Sequence, residues 1–275
     1  MNIDKWSKKL PELLEQYNSA LPFPHIVIDD FLPAFEADNL LQQFPSSADD
    51  EGWIHYKHFN ENKHGLNEVD KLPANVLGFI NFMHSPPAIS FLEKLTGISN
   101  LIADETLEGA GIHLSERGGY LNMHADFSTH PQFNHLERKL NIILYLNKDW
   151  KSEYRGDLEL WDAKMESCEK KIAPLFNRLV VFNTTNISYH GFPEPLLCPK
   201  GETRKSIALY YYNKTEANSR IKSTNYKTRP GDGLKALPNW VDNKLLWAYT
   251  YLKRKVGLND KSASKLLNIK KWWSK

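Results

Sequence analysis

The chain has 275 residues, 41% apolar and 25% charged, and its 35 basic and 33 acidic side chains leave a net charge of +2. This is ordinary globular usage, with length for one large domain or a core with extensions, and with no general nucleic-acid signature. Two cysteines, Cys168 and Cys198, do not make a disulfide framework, and no run approaches the roughly eighteen apolar residues of a membrane span. The first residues, Met1 to Trp6, lack an apolar signal region. A cytoplasmic protein in a reducing compartment is the expectation.

In chain order, residues 4–18 read as an amphipathic helix with Leu10, Leu13, Leu14 and Tyr17 on one side. Residues 24–30 read as a strand. Pro33 opens a helix to about Gln43, with Phe35, Leu40, Leu41 and Phe44 as its apolar face. Residues 45–72 are polar, with Trp53, Tyr56 and Phe59 interspersed, and read as a loop or irregular strands near a site. Helices are expected over 74–83 and from Pro86-Pro87 to about 95. From 100 to 213 the pattern is strands with turns, which suits a double-stranded β-helix, or jelly roll. The expected class is therefore mainly β with flanking helices. The polar connection 127–139, with His130, Pro131, His135 and Arg138, either borders a substrate pocket or is a solvated loop.

Beyond Tyr212 the composition changes. Residues 213–233 look like a linker or a substrate-edge loop, and 238–254 like a helix containing Trp240, Leu245, Leu246, Trp247, Tyr251 and Leu252. Residues 262–275 set Lys265, Lys270, Lys271 and Lys275 beside Trp272 and Trp273. Such a tail could touch a membrane surface, an anionic polymer or a partner, although it is more often a helix packed on the body. The expected organisation is an N-terminal unit of strand and helices (1–99), a β-helix core (100–213) and a basic linker with a helical extension (214–275).

Three short pieces carry chemistry: His124-Ala125-Asp126, His190, and Arg204-Lys205-Ser206. Two histidines and one carboxylate with open positions form the facial triad of non-haem Fe(II) oxygenases. His124 and Asp126 are two apart, so one extended strand can present both to one metal. The β-prone run Leu179-Val180-Val181-Phe182, followed by a turn over 183–189, can bring His190 in from a neighbouring strand. Arg204 and Ser206 share a face of the next strand. An arginine there supplies a fixed, planar cation for a carboxylate, and Ser206 could add a hydroxyl hydrogen bond. The remaining histidines, His25, His55, His58, His64, His84, His113, His130 and His135, lack such context, and most of them read as surface or ordinary packing residues.

These residues, in this order, resemble the Fe(II)/2-oxoglutarate dioxygenases, in particular the prolyl 4-hydroxylase-like branch. The resemblance runs through Gly119 to Asp126, Tyr145-Leu146-Asn147-Lys148-Asp149-Trp150, Gly156-Asp157-Leu158-Glu159-Leu160, Arg178 to Phe182, and His190-Gly191 through Arg204 to Leu209. Residues 22–33 also look like the opening of many bacterial members. By position, the resemblance implies that His124, Asp126 and His190 hold Fe(II). It implies that Arg204 binds the distal carboxylate of 2-oxoglutarate, with Tyr145 contributing its hydroxyl. It also implies hydroxylation of a prolyl residue, another amino acid or a small molecule, with O2 consumed and succinate and carbon dioxide released. Ascorbate is a candidate reductant. Two departures stand out. The segment from His190 to Arg204 is longer, running through Pro193, Pro195 and Pro199. A second cosubstrate tyrosine is missing before His124, with His113 as a weak substitute. The competing classes are a non-catalytic metal-binding jelly roll and a cupin-like metal enzyme that does not use 2-oxoglutarate. Halogenation is disfavoured because Asp126 is present.

Overall fold

The computed structural model describes residues 3–49, 51–215, 224–233 and 244. The helix expected over 238–254, apart from residue 244, and the basic tail over 262–275 lie outside the described residues. No described helix is long and apolar enough to cross a membrane, and both cysteines are free.

The N-terminal helix is two helices, α1 (Asp4–Ser7) and α2 (Leu10–Ser19). Pro11, with no N–H to donate, belongs in a first turn and marks the new start. Strand β1 (His25–Ile28) follows, then α3 (Ala34–Gln43). α3 buries Ala37 and Leu40 but leaves Phe35 76% exposed, which corrects the expected apolar face. Two positions along a helix is a rotation of roughly 200°, so Phe35 and Ala37 cannot share a face. The stretch read as a loop or irregular strands holds a regular hairpin, β2 (Ile54–His58) and β3 (Glu61–Leu66). Helices α4 (Ala74–Met83) and α5 (Pro86–Thr96) match expectation, and α5 stops at Gly97 in a left-handed conformation (φ +73°).

The strands continue as β4 (Ile102–Ala103), β5 (Gly111–Ser115), β6 (Tyr120–Ala125), β7 (Leu136–Tyr145), β8 (Leu158–Trp161), β9 (Cys168–Ile172), β10 (Arg178–Asn183), β11 (His190–Phe192), β12 (Arg204–Lys214) and β13 (Asn225–Tyr226). All pairings are antiparallel, in the order β1-β10-β7-β12-β5-β3-β6-β11-β8-β9. The result is a nearly closed jelly-roll barrel. β3 joins its two layers by pairing with β5 over residues 64–66 and with β6 over 61–62.

The apolar runs at 140–146 and 207–212 have both faces covered. Leu140, Ile142, Leu144, Ile207, Leu209 and Tyr211 pack outward, in one cluster with α2, α3, α4 and α5. Tyr145 and Ile143, with Val180 and Phe182 of β10, pack inward against Leu158, Leu160 and Ile172 of the opposite layer. Burial on both sides explains why these strands read as continuous hydrophobic stretches rather than alternating ones.

His113 of β5 pairs across with Gly65 and Ser206, inside the sheet. Burial lowers its pKa to about 3, with the Lys63 cation adding to the effect and Glu61 opposing it. In the unfolded chain the imidazole takes its proton near pH 6.5. Between pH 6.5 and 3 the unfolded state therefore binds one proton more than the folded state, and stability falls as pH falls. This single group accounts for roughly 2 kcal/mol between pH 6.5 and 5. Urea unfolding of His113→Asn at those two pH values should show a loss on acidification smaller than wild type by about that amount. Equal losses would place the imidazole in contact with water.

Candidate active site

β6 and β11 lie side by side with His190 directly across from His124. The register shifts between His190 and Phe192, and the residue between them is Gly191. A Cβ there would lie 2.7 Å from the Leu121 carbonyl oxygen and 2.9 Å from that of Asn122. Glycine is what lets β11 approach β6 closely enough to set the two imidazoles together. Their ring centroids are 4.4 Å apart.

Asp126 is the first residue beyond β6. One carboxylate oxygen, Oδ1, is 3.5 Å from His124 Nε2, and the other, Oδ2, is 3.4 Å from His190 Nε2. One ligand atom from each of the three residues falls within 4.8 Å of the others. Both histidines direct Nδ1 at a backbone carbonyl, His124 at Asn122 (2.9 Å) and His190 at Ser188 (3.0 Å). A carbonyl only accepts, so each Nδ1 carries a proton and each Nε2 is the ring nitrogen turned toward Asp126. Burial lowers the His190 pKa to about 4, with Asp126 opposing, so the ring is neutral at physiological pH. Burial alone would raise the Asp126 carboxyl, but the Arg138 guanidinium, with His190 and His124, pulls it well below the usual range. Two imidazoles and a carboxylate are the donor set a hard-to-borderline divalent metal takes, and this cluster fits one.

Arg204, the first residue of β12, is buried (5% exposed). Its Nε donates to the Gly156 carbonyl (2.8 Å) and its Nη2 to the Tyr145 hydroxyl (3.1 Å), and it lies over the Tyr145 and Phe192 rings. None of the described carboxylates pairs with it. Burial raises the Tyr145 pKa despite the adjacent guanidinium, so the phenol keeps its proton. A cation held by a carbonyl, a hydroxyl and two rings, but by no anion, is fitted to receive one. Ser206 lies across from Tyr145 and His113, on the same strand as Arg204 but with no side-chain hydrogen bond to it.

Several residues at the site were not anticipated. Asn141, inside an apolar run, donates to Asp126 Oδ2 (2.7 Å). Arg138 was read as part of a polar connection, but it belongs to β7, is 1% exposed and reaches the same oxygen (3.1 Å). A lone asparagine in a doubly buried strand is itself a signal, because a buried amide must find partners. His130 is fully buried, the packing alternative of the two read for it. It contacts Asp104 (3.2 Å) and its Nδ1 accepts from the backbone of Gln132 and Phe133, which fixes the chain just after the triad. The described part of 213–233 is an edge of the site. β13 pairs with β6, and the Tyr226 ring lies 5.4 Å from that of His124. The His58 ring is 5.9 Å beyond Tyr226, and its Nε2 is 2.7 Å from Glu61.

Residues 110–212 match the family model of the 2OG-Fe(II) oxygenase superfamily. No curated protein matches the sequence. Among solved structures, a Pseudomonas putida prolyl-4-hydroxylase superposes with a TM-score of 0.54 at 16% identity, over 75% of this chain and 100% of that one. A Trichoplax adhaerens prolyl hydroxylase, in complex with a hypoxia inducible factor peptide fragment, gives 0.55 at 18% identity over 78% and 94%. A non-heme alpha ketoglutarate dependent epimerase from nogalamycin biosynthesis gives 0.50 at 14% identity over 82% and 90%. Likeness at such identities shows the shared fold, whereas the family match covers the strands from β5 to β12 that surround the triad and Arg204. Over residues 110–212, the stretch that carries the triad and Arg204, the chain is similar to the 2OG-Fe(II) oxygenase superfamily.

Proposed function

We propose that the protein is a hydroxylase in which His124, Asp126 and His190 hold Fe(II), and Arg204 with Tyr145 binds the distal carboxylate of 2-oxoglutarate. Ser206 would line the same cradle. The observation that carries this reading is the buried Arg204 with no carboxylate partner among the described residues. A jelly roll that only bound metal, or a cupin-like enzyme without 2-oxoglutarate, would have no use for such a cation. Burying an unpaired charge is costly unless a ligand completes it.

Bound iron supplies the dioxygen chemistry: 2-oxoglutarate is oxidised to succinate and carbon dioxide, and one oxygen atom enters a substrate C–H bond. The chain's own residues do the positioning. The Nδ1 hydrogen bonds fix both imidazole planes, Arg138 and Asn141 fix the carboxylate, and Arg204 with Tyr145 would fix the cosubstrate's far end. Leu158, Leu160, Val180 and Phe182 keep water from the inner wall. The substrate class we favour is a prolyl residue or another amino acid, which rests on the prolyl 4-hydroxylase-like motifs. Likeness to an epimerase of antibiotic biosynthesis makes small molecules the second class to screen. A reducing cytoplasm suits both the free cysteines and an Fe(II) site.

Purified protein with Fe(II), 2-oxoglutarate, oxygen and ascorbate should release succinate slowly even without a prime substrate, and His124→Ala/Asp126→Ala should not. Arg204→Met should raise the half-saturating 2-oxoglutarate concentration by about tenfold or more, since a charge-assisted contact is worth roughly 1.5–3 kcal/mol. Full activity in Arg204→Met at low 2-oxoglutarate would move the assignment to the cupin-like alternative.

A further inference from the structure

The cross-strand pairing of histidines that builds the triad occurs a second time. In the β2–β3 hairpin His55 lies directly opposite His64, and their rings stack at 4.1 Å with 28° between the planes. His124 and His190 are paired in the same way, at 4.4 Å and 48°. Successive residues of a strand point to opposite faces, so His55 and His64 share the face away from Tyr56, His58, Glu61 and Lys63. His58 and Glu61 are on the side of Tyr226 and the triad. The second histidine pair therefore lies across the hairpin from the chamber.

The ring nitrogens are set for coordination. Asn62 Nδ2 donates to the Gly118 carbonyl (3.3 Å), which turns Asn62 Oδ1 to accept from His55 Nε2 (2.9 Å). His55 Nδ1 is then the nitrogen left to coordinate. An imidazole whose other nitrogen is fixed on an oxygen is the usual form of a metal ligand, and the Asn122 and Ser188 carbonyls do the same for the triad. His64 Nδ1 is buried and has no hydrogen-bond partner among the described residues. Burial lowers the His64 pKa to about 4, with His55 and Lys57 adding to the effect and Asp49 opposing it. His64 is thus neutral at physiological pH and keeps a lone pair on one ring nitrogen. Asp49 offers a carboxylate whose charge already acts on this ring, while the opposing Lys57 is exposed to solvent.

We propose that His55 and His64 form a second metal site, separate from the chamber, which takes a borderline divalent ion such as Zn(II) and staples the hairpin. Imidazole nitrogens suit zinc at roughly 2.0–2.1 Å, and Asp49 with water can complete a tetrahedral set. The backbone register already holds the two side chains opposite each other, so rotation of the rings is enough to close on the ion. The hairpin gives the ion something to hold, since β2 pairs with β3 and with no other described strand. An ion bound by the folded hairpin and not by the unfolded chain stabilises the fold. The staple also fixes β3, the strand that joins the two layers by pairing with β5 and β6.

The test is calorimetric titration of the full chain with Zn(II), in wild type and in His124→Ala/Asp126→Ala, which removes any binding at the triad. The double variant should take up one Zn(II) per chain. Its melting temperature should rise by roughly 5 °C at free Zn(II) a hundredfold above the dissociation constant. Adding His55→Asn or His64→Asn should weaken the binding by about tenfold or more and remove the rise. Cu(II) bound to the double variant should give an electron paramagnetic resonance spectrum split by two imidazole nitrogens, a ligand count that needs no further substitution. No uptake, or a copper spectrum with fewer than two imidazoles, overturns the proposal. Uptake that survives both His55→Asn and His64→Asn is an adventitious ion only and overturns it too. Bound zinc without a rise in melting temperature overturns the staple. If the double variant does not fold, the same reading is made in wild type, as the share of Zn(II) uptake lost in His55→Asn and His64→Asn; no loss there overturns the proposal.

Discussion

The close antiparallel contact of β6 with β11 is the constraint on which the site depends. Their register sets His190 opposite His124, and the approach is close enough only because position 191 carries no Cβ. On its other edge β11 pairs with β8, so His190 is fixed from both sides by backbone hydrogen bonds. The two histidines therefore sit on paired strands rather than on loops, which is the support a preorganised metal centre needs. Asp126 completes the triad from just beyond the end of β6, where the chain is free to turn toward β7 and meet Asn141 and Arg138.

The chamber is organised by how it handles buried charge. Each fixed carboxylate near the triad is matched: Asp126 by Arg138, and Glu61 by Lys63 and His58. The imidazole of His190 stays neutral because burial penalises its charged form. Arg204 is the exception among the described residues, a buried cation without a carboxylate partner, and it is the residue proposed to meet an anionic ligand. Its contacts to Gly156, Tyr145 and Phe192 come from three separate stretches of chain, so its position depends on the closed barrel as a whole.

The periphery has a comparable logic. The chain after the triad is pinned by buried His130 on Asp104, and Asp104 in turn caps the turn at 106–108 by accepting from the backbone of Thr106 and Glu108. The segment at 224–233 is attached to β6 and to Glu194 through Arg229, and it brings Tyr226 against His124.

The triad, Arg204 and the jelly roll were legible in the sequence because they rest on local rules: side chains two apart share a strand face, and doubly buried strands read as apolar runs. Helices at 74–83 and after Pro86 were legible for the same reason. Phe35 was misplaced because helical phase had to be guessed, and one residue's error moves a side chain about 100°. Arg138, Asn141, His130 and Tyr226 could not be assigned. A polar side chain in a sequence carries no sign of whether it will be solvated or buried, and its partner is chosen only when distant strands pair. The sequence alone determined which ligand atoms and which cation were available to the site. The tertiary structure decided which charges are compensated, because burial and pairing are properties of the assembled barrel and not of any segment within it.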